Sequence, residues 1–225
     1  MDNPYYEKDG KRYTRVSRII DFFAPPDLVE WKMDTGRKEA GRISRAALKI
    51  GSRVDDLITE NWQNPKVGKK DGLEVQSCLQ AWQAWLKDYQ PKELKFHETV
   101  YDEEAMVAGT YDFMWGDILV DIKTSRNVKP YHFFQLGAYG GMMKPHPEKL
   151  AILRLDKSLG IYEFVESRKV GLDPLDCWLA FKGLQRAYKV YNQADSALNP
   201  PKGQKEQEND TDISTQQITA ADREI

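Results

Sequence analysis

The spacing of apolar residues along this chain predicts five helices. Apolar positions recur every three to four residues, which is the period of a helix with one buried face. The predicted helices cover residues 17–23, 28–36, 38–62, 73–89 and 173–194. Pro25-Pro26 separates the first two, Gly51 is a point of interruption in the third, and Pro91 ends the fourth.

Shorter segments rich in β-branched and aromatic residues predict strands. Residues 96–114 and 118–122 flank the turn signal Trp115-Gly116-Asp117, so together they predict a β-hairpin. A helix is expected over residues 130–143, followed by two strands at 150–155 and 161–165. This order predicts an α/β fold of the α+β type, in which helices flank a mixed central β-sheet.

Asp112, Asp121 and Lys123 form the constellation in the sequence that indicates a specific chemistry. Because side chains alternate between the faces of a strand, Asp121 and Lys123 are predicted on one face, while Ile122 points toward a core. Asp112, on the first strand of the hairpin, is expected to reach the same side. Alternating charges also occur on solvated strand faces, so the assignment depends on the surrounding elements.

Two neighbouring carboxylates predict a site for a hard divalent cation. They repel each other unless a proton or a cation intervenes. Mg²⁺ and Mn²⁺ prefer oxygen ligands, and a bound ion lowers the pKa of its water and neutralises charge on a phosphate. Lys123 adds a positive charge with three donors, suited to orienting the attacking water. The three residues are therefore expected to hydrolyse phosphodiester bonds.

The predicted helix at 130–143 carries a polar pair that supports this interpretation. Gln135 and Tyr139 are four residues apart and share one helical face. They are expected to lean over the metal site, where they brace the lysine and the scissile strand. An ordinary amphipathic helix with a glutamine at the edge of the core is the alternative.

Three segments resemble, in order and spacing, the motifs of the PD-(D/E)XK nucleases. They are Gly109-Thr-Tyr-Asp112, Val120-Asp121-Ile-Lys123-Thr124-Ser125 and Gln135-Leu-Gly-Ala-Tyr139. The similarity is closest to the RecB-like branch, which includes phage and bacterial exonucleases and the mitochondrial genome-maintenance exonuclease. The resemblance implies a restriction-endonuclease-like core, with Asp112, Asp121, Lys123, Gln135 and Tyr139 as catalytic residues.

The same resemblance extends upstream and implies further metal ligands. In this branch a histidine binds metal, and the matching residue here is Asp55, which follows Gly51-Ser-Arg-Val54. The metal ligands implied are Asp55, Asp112, Asp121 and the backbone carbonyl of Ile122, with Glu98 and Thr124 in support. If Asp55 is not a ligand, Glu60 is the next candidate.

The composition of the chain limits the kinds of metal site and the cellular locations that are expected. Two cysteines, Cys78 and Cys177, suggest neither a zinc site nor a disulfide framework, and they exclude the four-cysteine iron–sulfur subgroup of RecB-like proteins. No apolar run is long enough for a membrane span, and the N-terminus lacks the features of a signal peptide. We expect no membrane association and a cytoplasmic location, in a bacterium or a phage-infected host.

Charge is distributed unevenly along the chain. The net charge is −2, but the segment from Leu198 onward holds six acidic and three basic residues, and the rest sums to +1. Residues 1–196 are predicted to form one nuclease domain, with a helical part at 1–90 and a catalytic core at 91–196. Residues 197–225 are predicted to be a disordered acidic tail, a candidate site for a single-strand-binding or recombination protein.

The first 53 residues carry an excess of four positive charges and predict a phosphate-contacting arm, with solvated helix faces as the alternative. The resemblance implies a Mg²⁺- or Mn²⁺-dependent exonuclease that acts on single-stranded or duplex DNA ends in replication, recombination or repair. Two alternatives remain open. One is a structure-specific endonuclease, and the other is a non-catalytic DNA-binding recombination accessory protein on a nuclease fold.

Overall fold

The computed structural model describes residues 3–23 and 25–200, apart from the side chain of Asp27. Its helices are α1 Val16–Phe22, α2 Pro26–Thr35, α3 Arg37–Glu60, α4 Leu73–Tyr89, α5 Pro130–Met142 and α6 Pro174–Leu198. Its strands are β1 Tyr5–Lys8, β2 Lys11–Arg15, β3 Lys95–Phe96, β4 Thr99–Asp102, β5 Val107–Thr110, β6 Phe113–Trp115, β7 Ile118–Lys123, β8 Lys149–Leu155 and β9 Tyr162–Glu166. A short 3₁₀ helix covers Ser167–Val170.

The strands form two sheets, and the larger one confirms the predicted mixed α/β fold. Its order is β3-β6-β7-β8-β9, with β7 and β8 parallel and the other neighbours antiparallel. The smaller sheet, with the order β1-β2-β5-β4, was not predicted. Its N-terminal hairpin was overlooked because most of its side chains are polar. The signal for it was the turn at Asp9-Gly10, where both residues have positive φ, 51° and 72°.

The segment 96–114 is a bent ribbon of several strands, and its prediction as the first strand of one hairpin was wrong. The chain reverses between β4 and β5, where the Asp102 carboxylate accepts a hydrogen bond from the Ala105 N–H. Asp112 itself lies at a bend between β5 and β6, not on a strand. The predicted β6–β7 hairpin around Gly116 is confirmed, with Trp115 paired to Ile118.

One face of the larger sheet packs against α3 and α4. Trp82 and Trp85 of α4 are fully buried there, together with Val120 of β7 and Leu153 of β8. The predicted helix at 73–89 is confirmed at both ends. The predicted interruption at Gly51 was wrong, because α3 continues through it without a break. Because α3 is unbroken, it extends from the surface to the edge of the sheet.

The opposite face of the larger sheet packs against α5. Because side chains alternate along β7, Asp121 and Lys123 project toward α5 while Ile122 packs against the α3–α4 core. Two glycines let α6 approach α5 closely. A Cβ on Gly137 would lie 2.4 Å from the backbone of Cys177, and a Cβ on Gly141 would lie 2.3 Å from the Trp178 ring. The position of α5 against α6 is therefore fixed by close packing.

The chain divides into two units, the first ending at Leu184 and the second beginning at Gln185, inside α6. Of the predicted tail at 197–225, residues 201–225 lie outside the described part of the chain. Among the described helices, none combines the length and the apolar character that a membrane span requires.

Candidate active site

The predicted site residues converge on a cleft of about 770 Å³. The cleft opens at the C-terminal end of β7 and is lined by residues of α1, α2, α3 and α5. The predicted residues that line it are Asp55, Asp112, Asp121, Ile122, Lys123, Thr124 and Gln135. Four separate chain segments contribute to this set, which only the folded chain brings together.

Asp112 occupies the bend of the ribbon and faces the end of β7. Its Oδ2 accepts a hydrogen bond of 2.6 Å from the backbone N–H of Ile122, which fixes the carboxylate beside the strand. Burial and then the charge of Asp121 raise the pKa of Asp112 well above its ordinary range, and Lys123 only partly offsets them. A cation placed beside these carboxylates would relieve both effects.

Asp121 and Lys123 form an ion pair on the face of β7 that looks toward α5. Lys123 Nζ lies 2.7 Å from Asp121 Oδ2, and the aspartate is only 2% exposed. Burial opposes the charge of the lysine, but Asp121 and Asp112 outweigh it and raise the pKa of Lys123. The ammonium group therefore stays positive throughout the physiological pH range.

Gln135 and Tyr139 hold the lysine in place from α5. Lys123 Nζ donates to Gln135 Oε1 at 3.1 Å, and Gln135 Nε2 donates to the Tyr139 hydroxyl at 2.8 Å. The structure therefore brings both residues to the lysine, as the sequence predicted. Tyr139 is 4% exposed and lies behind Gln135, so of these two residues only Gln135 lines the cleft.

Gly109 provides the space that the Tyr139 ring occupies. A Cβ at this position would lie 2.3 Å from Tyr139 Cε1 and 3.2 Å from Val16 Cγ2, both closer than van der Waals contact. The glycine of the Gly109-Thr-Tyr-Asp112 segment is thus explained by the approach of Tyr139 to the backbone of β5.

We expect Gly109→Ala to destabilise the protein by about 1–3 kcal/mol, because the added methyl group must displace the buried tyrosine ring. For a chain of this size each kcal/mol corresponds to about 2–4 °C in Tm, which thermal denaturation measures. Gly183→Ala is the matched control, since a Cβ there meets no described atom within 4 Å. In the interior of α6 it should stabilise the protein by up to about 1 kcal/mol. An equal Tm for both variants would contradict the packing role of Gly109.

Asp55 belongs to a cluster of side chains that could hold a metal ion, together with a residue that the sequence analysis missed. Ligand atoms of Asp55, His97 and Asp112 all lie within 4.8 Å of one another. His97 Nε2 is 3.2 Å from Asp55 Oδ1. Burial raises the pKa of Asp55, against the lowering influence of the histidine.

The register of the bent ribbon explains why His97 reaches this cluster. Phe96 pairs with Phe113 on one side of the bend and Thr99 with Thr110 on the other, so the same register sets His97 opposite Asp112. The His97 N–H also donates to the Asp112 carbonyl at 3.1 Å. The turn after Asp102 was the signal that would have predicted this pairing.

The remaining predicted site residues take other positions. The Glu98 carboxylate accepts a hydrogen bond from the Tyr111 hydroxyl at 2.8 Å. Neither Glu98 nor Glu60 is among the described residues that line the cleft. Thr124 does line it, beside Gly51 of α3, where a Cβ would lie 3.4 Å from Thr124 Oγ1.

The predicted basic arm is partly used for ion pairs within the chain. Five of its twelve basic residues pair with acids, namely Lys8, Lys11, Arg12, Arg42 and Arg53. Lys32 lines the active-site cleft, and Arg37 and Arg45 line an adjacent cavity that also includes Lys32. Lys157, from the turn between β8 and β9, adds a further cation that the sequence analysis did not select.

The donor set fits a divalent cation. Asp55, Asp112 and Asp121 line the cleft, and burial disfavours the charge on all three carboxylates. The His97 imidazole lies beside the first two. Oxygen donors suit Mg²⁺ and Mn²⁺, while the imidazole suits transition ions. Asp55, Asp112 and Asp121 are the residues that would hold the ion.

Comparison with known proteins does not assign a family. No family model matches the sequence, and no curated protein matches it. Among solved structures, a match titled "Crystal structure of SSO0001" has a TM-score of 0.43 and 13% sequence identity, and covers 85% of this chain and 78% of that chain. A similarity at this level supports no functional argument.

Proposed function

We propose that this protein is a metal-dependent deoxyribonuclease that acts as an exonuclease on DNA ends. The observation that carries the proposal is the convergence of Asp112, Asp121 and Lys123 in one cleft, with Lys123 hydrogen-bonded to Gln135 of α5. A buried ion pair that only stabilised the fold would not need to face an open cleft, nor to share it with three further acids, Asp21, Asp55 and Asp112.

Each residue of the cleft has a role in this proposal. A bound divalent cation supplies an activated water and neutralises charge on the scissile phosphate. Asp112 and Asp121 bind that cation, and Asp55 completes the acidic set. Lys123 donates hydrogen bonds to the attacking water or to a phosphate oxygen, where a fixed positive charge stabilises the transition state. Gln135 and Tyr139 hold the ammonium group in this position.

The wall of the cleft formed by α3 supports a nucleic-acid substrate. Ser44, Ala47, Gly51 and Ser52 of α3 line the cleft together with Leu48, so four of these five residues ahead of Asp55 are small. Lys32 and Lys157 place positive charge at the same cleft. A backbone phosphate requires such a combination of room and positive charge.

The proposal is tested with end-labelled single-stranded, duplex and nicked DNA and with covalently closed circles, each with Mg²⁺ or Mn²⁺. We expect metal-dependent release of nucleotides from labelled ends and no cleavage of closed circles. Asp121→Asn protein, purified in the same way, controls for contaminating nucleases.

Two outcomes would overturn parts of the proposal. Cleavage of circles or of internal sites in branched substrates would assign a structure-specific endonuclease. Mn²⁺ binding without hydrolysis of any substrate would favour a DNA-binding accessory protein and contradict the nuclease assignment.

A further inference from the structure

We propose that His97 is a nitrogen ligand of the catalytic metal, and that it makes the site select a divalent transition ion over Mg²⁺. This inference rests on the proposed function, because it concerns the metal of the same site. It goes further in naming a ligand that comes from the β-ribbon and in stating which ions the site prefers.

The distances within the cluster are close to those of ligands that share one ion. Ligands about 2.1 Å from one ion lie at most about 4.2 Å apart. Ligand atoms of Asp55, His97 and Asp112 are all within 4.8 Å of one another, so shifts of a few tenths of an ångström bring them onto one ion. Asp55 and Asp112 also line the cleft, which gives such an ion access to substrate.

The backbone conformation of His97 also supports a role as a ligand. Its φ is +52°, a left-handed conformation that a non-glycine residue adopts in only a few per cent of cases. The same residue bonds through its N–H to the Asp112 carbonyl, opposite which the ribbon register places it. The bend thus holds the imidazole beside the two carboxylates at a conformational cost, a pattern that strained residues show at functional sites.

The chemistry of the donors determines the preferred ion. A site with carboxylate oxygens alone suits Mg²⁺ and Mn²⁺, whereas imidazole nitrogen favours transition ions and gives little to Mg²⁺. Replacing one oxygen donor by nitrogen therefore raises the affinity for Mn²⁺ relative to Mg²⁺. Asp55 and His97 are neighbours, so together they offer one hard and one softer donor from two different elements.

The test uses Mn²⁺ and Mg²⁺ as probes of the full-length protein. His97→Asn is the main variant, because asparagine tolerates a left-handed backbone and removes the imidazole. We expect it to weaken Mn²⁺ binding by about tenfold or more and to change Mg²⁺ binding less, as measured by calorimetry. Pulsed EPR of bound Mn²⁺ should show nitrogen modulation in the wild type and lose it in the variant. His146→Asn, at a histidine that contacts the Gly140 carbonyl, should retain it.

A double exchange keeps the test decisive if His97→Asn folds poorly. Asp55→His combined with His97→Asp retains the same donor types in the cluster, so nitrogen modulation should be present in this protein. Mn²⁺ bound without nitrogen modulation in the wild type, or affinity unchanged in His97→Asn, overturns the inference. Nitrogen-ligated Mn²⁺ in a protein that hydrolyses no DNA supports this inference while it overturns the proposed nuclease function.

Discussion

Lys123→Ala is expected to lower metal-dependent DNA hydrolysis by about 10²–10⁴-fold, the range typical of a positioned electrostatic or proton-transfer group. The reason is that the ammonium group is held beside Asp121 at 2.7 Å and by Gln135 at 3.1 Å, at the mouth of the metal site. Steady-state rates on end-labelled DNA with saturating Mn²⁺ measure the effect. Calorimetric Mn²⁺ binding by the variant shows whether the site still forms.

Two further variants provide hydrolysis rates with which that of Lys123→Ala is compared. Gln135→Ala keeps the charge of Lys123 but removes the group that orients it, so its rate should fall by about tenfold, less than that of Lys123→Ala. Lys169→Ala removes an exposed lysine that pairs with Glu166, and its rate should stay near that of the wild type. Equal rates for Lys123→Ala and Lys169→Ala would exclude Lys123 from catalysis.

Asp112→Asn is expected to act in opposite directions on activity and on stability. Hydrolysis should fall by about 10³-fold or more, because the cation loses a central ligand. The metal-free variant should nevertheless have a higher Tm than the metal-free wild type, since burial and Asp121 disfavour the charge on Asp112. The asparagine oxygen can still accept the hydrogen bond from Ile122. A variant that was inactive only because it unfolded would have a lower Tm.

The pH dependence of stability follows from the same group. The pKa of Asp112 is higher in the folded state than in the unfolded state, so the folded protein binds this proton more tightly. The contribution of Asp112 to the free energy of unfolding is therefore present at low pH and is lost as the pH rises through the raised pKa. Metal-free wild type should lose more Tm than Asp112→Asn as the pH rises from about 4 to neutrality.

Metal binding should reverse that loss in the wild type. An ion at 100 times its Kd stabilises the folded state by about 2.7 kcal/mol, which corresponds to about 5–10 °C in Tm. Asp112→Asn should gain much less. Asp117→Asn, at an exposed aspartate in the nearby β6–β7 turn, should respond to metal like the wild type. A full metal response in Asp112→Asn would remove this residue from the ligand set.

Local sequence patterns predicted the elements that carry the site. The helix at Leu73–Tyr89 matched at both ends, because its apolar period and flanking glycine and proline are local signals. The hairpin around Gly116 followed from a two-residue turn between β-rich segments. Alternation along β7 placed Asp121 and Lys123 on one face, where they form an ion pair. Each of these features depends on residues close together in the chain.

The sequence by itself thus determined the helices, the hairpin around Gly116, the two strands that follow α5 and the pairing of groups within β7. Only the tertiary structure decided that His97 meets Asp55 and Asp112, and it supplied the hydrogen bond by which Gln135 holds Lys123. The bend at Asp112 and the ribbon register bring His97 to the site, and no local period encodes such a contact. The physical reason is that contacts between elements depend on the packing of whole faces, which a pattern along one segment does not specify.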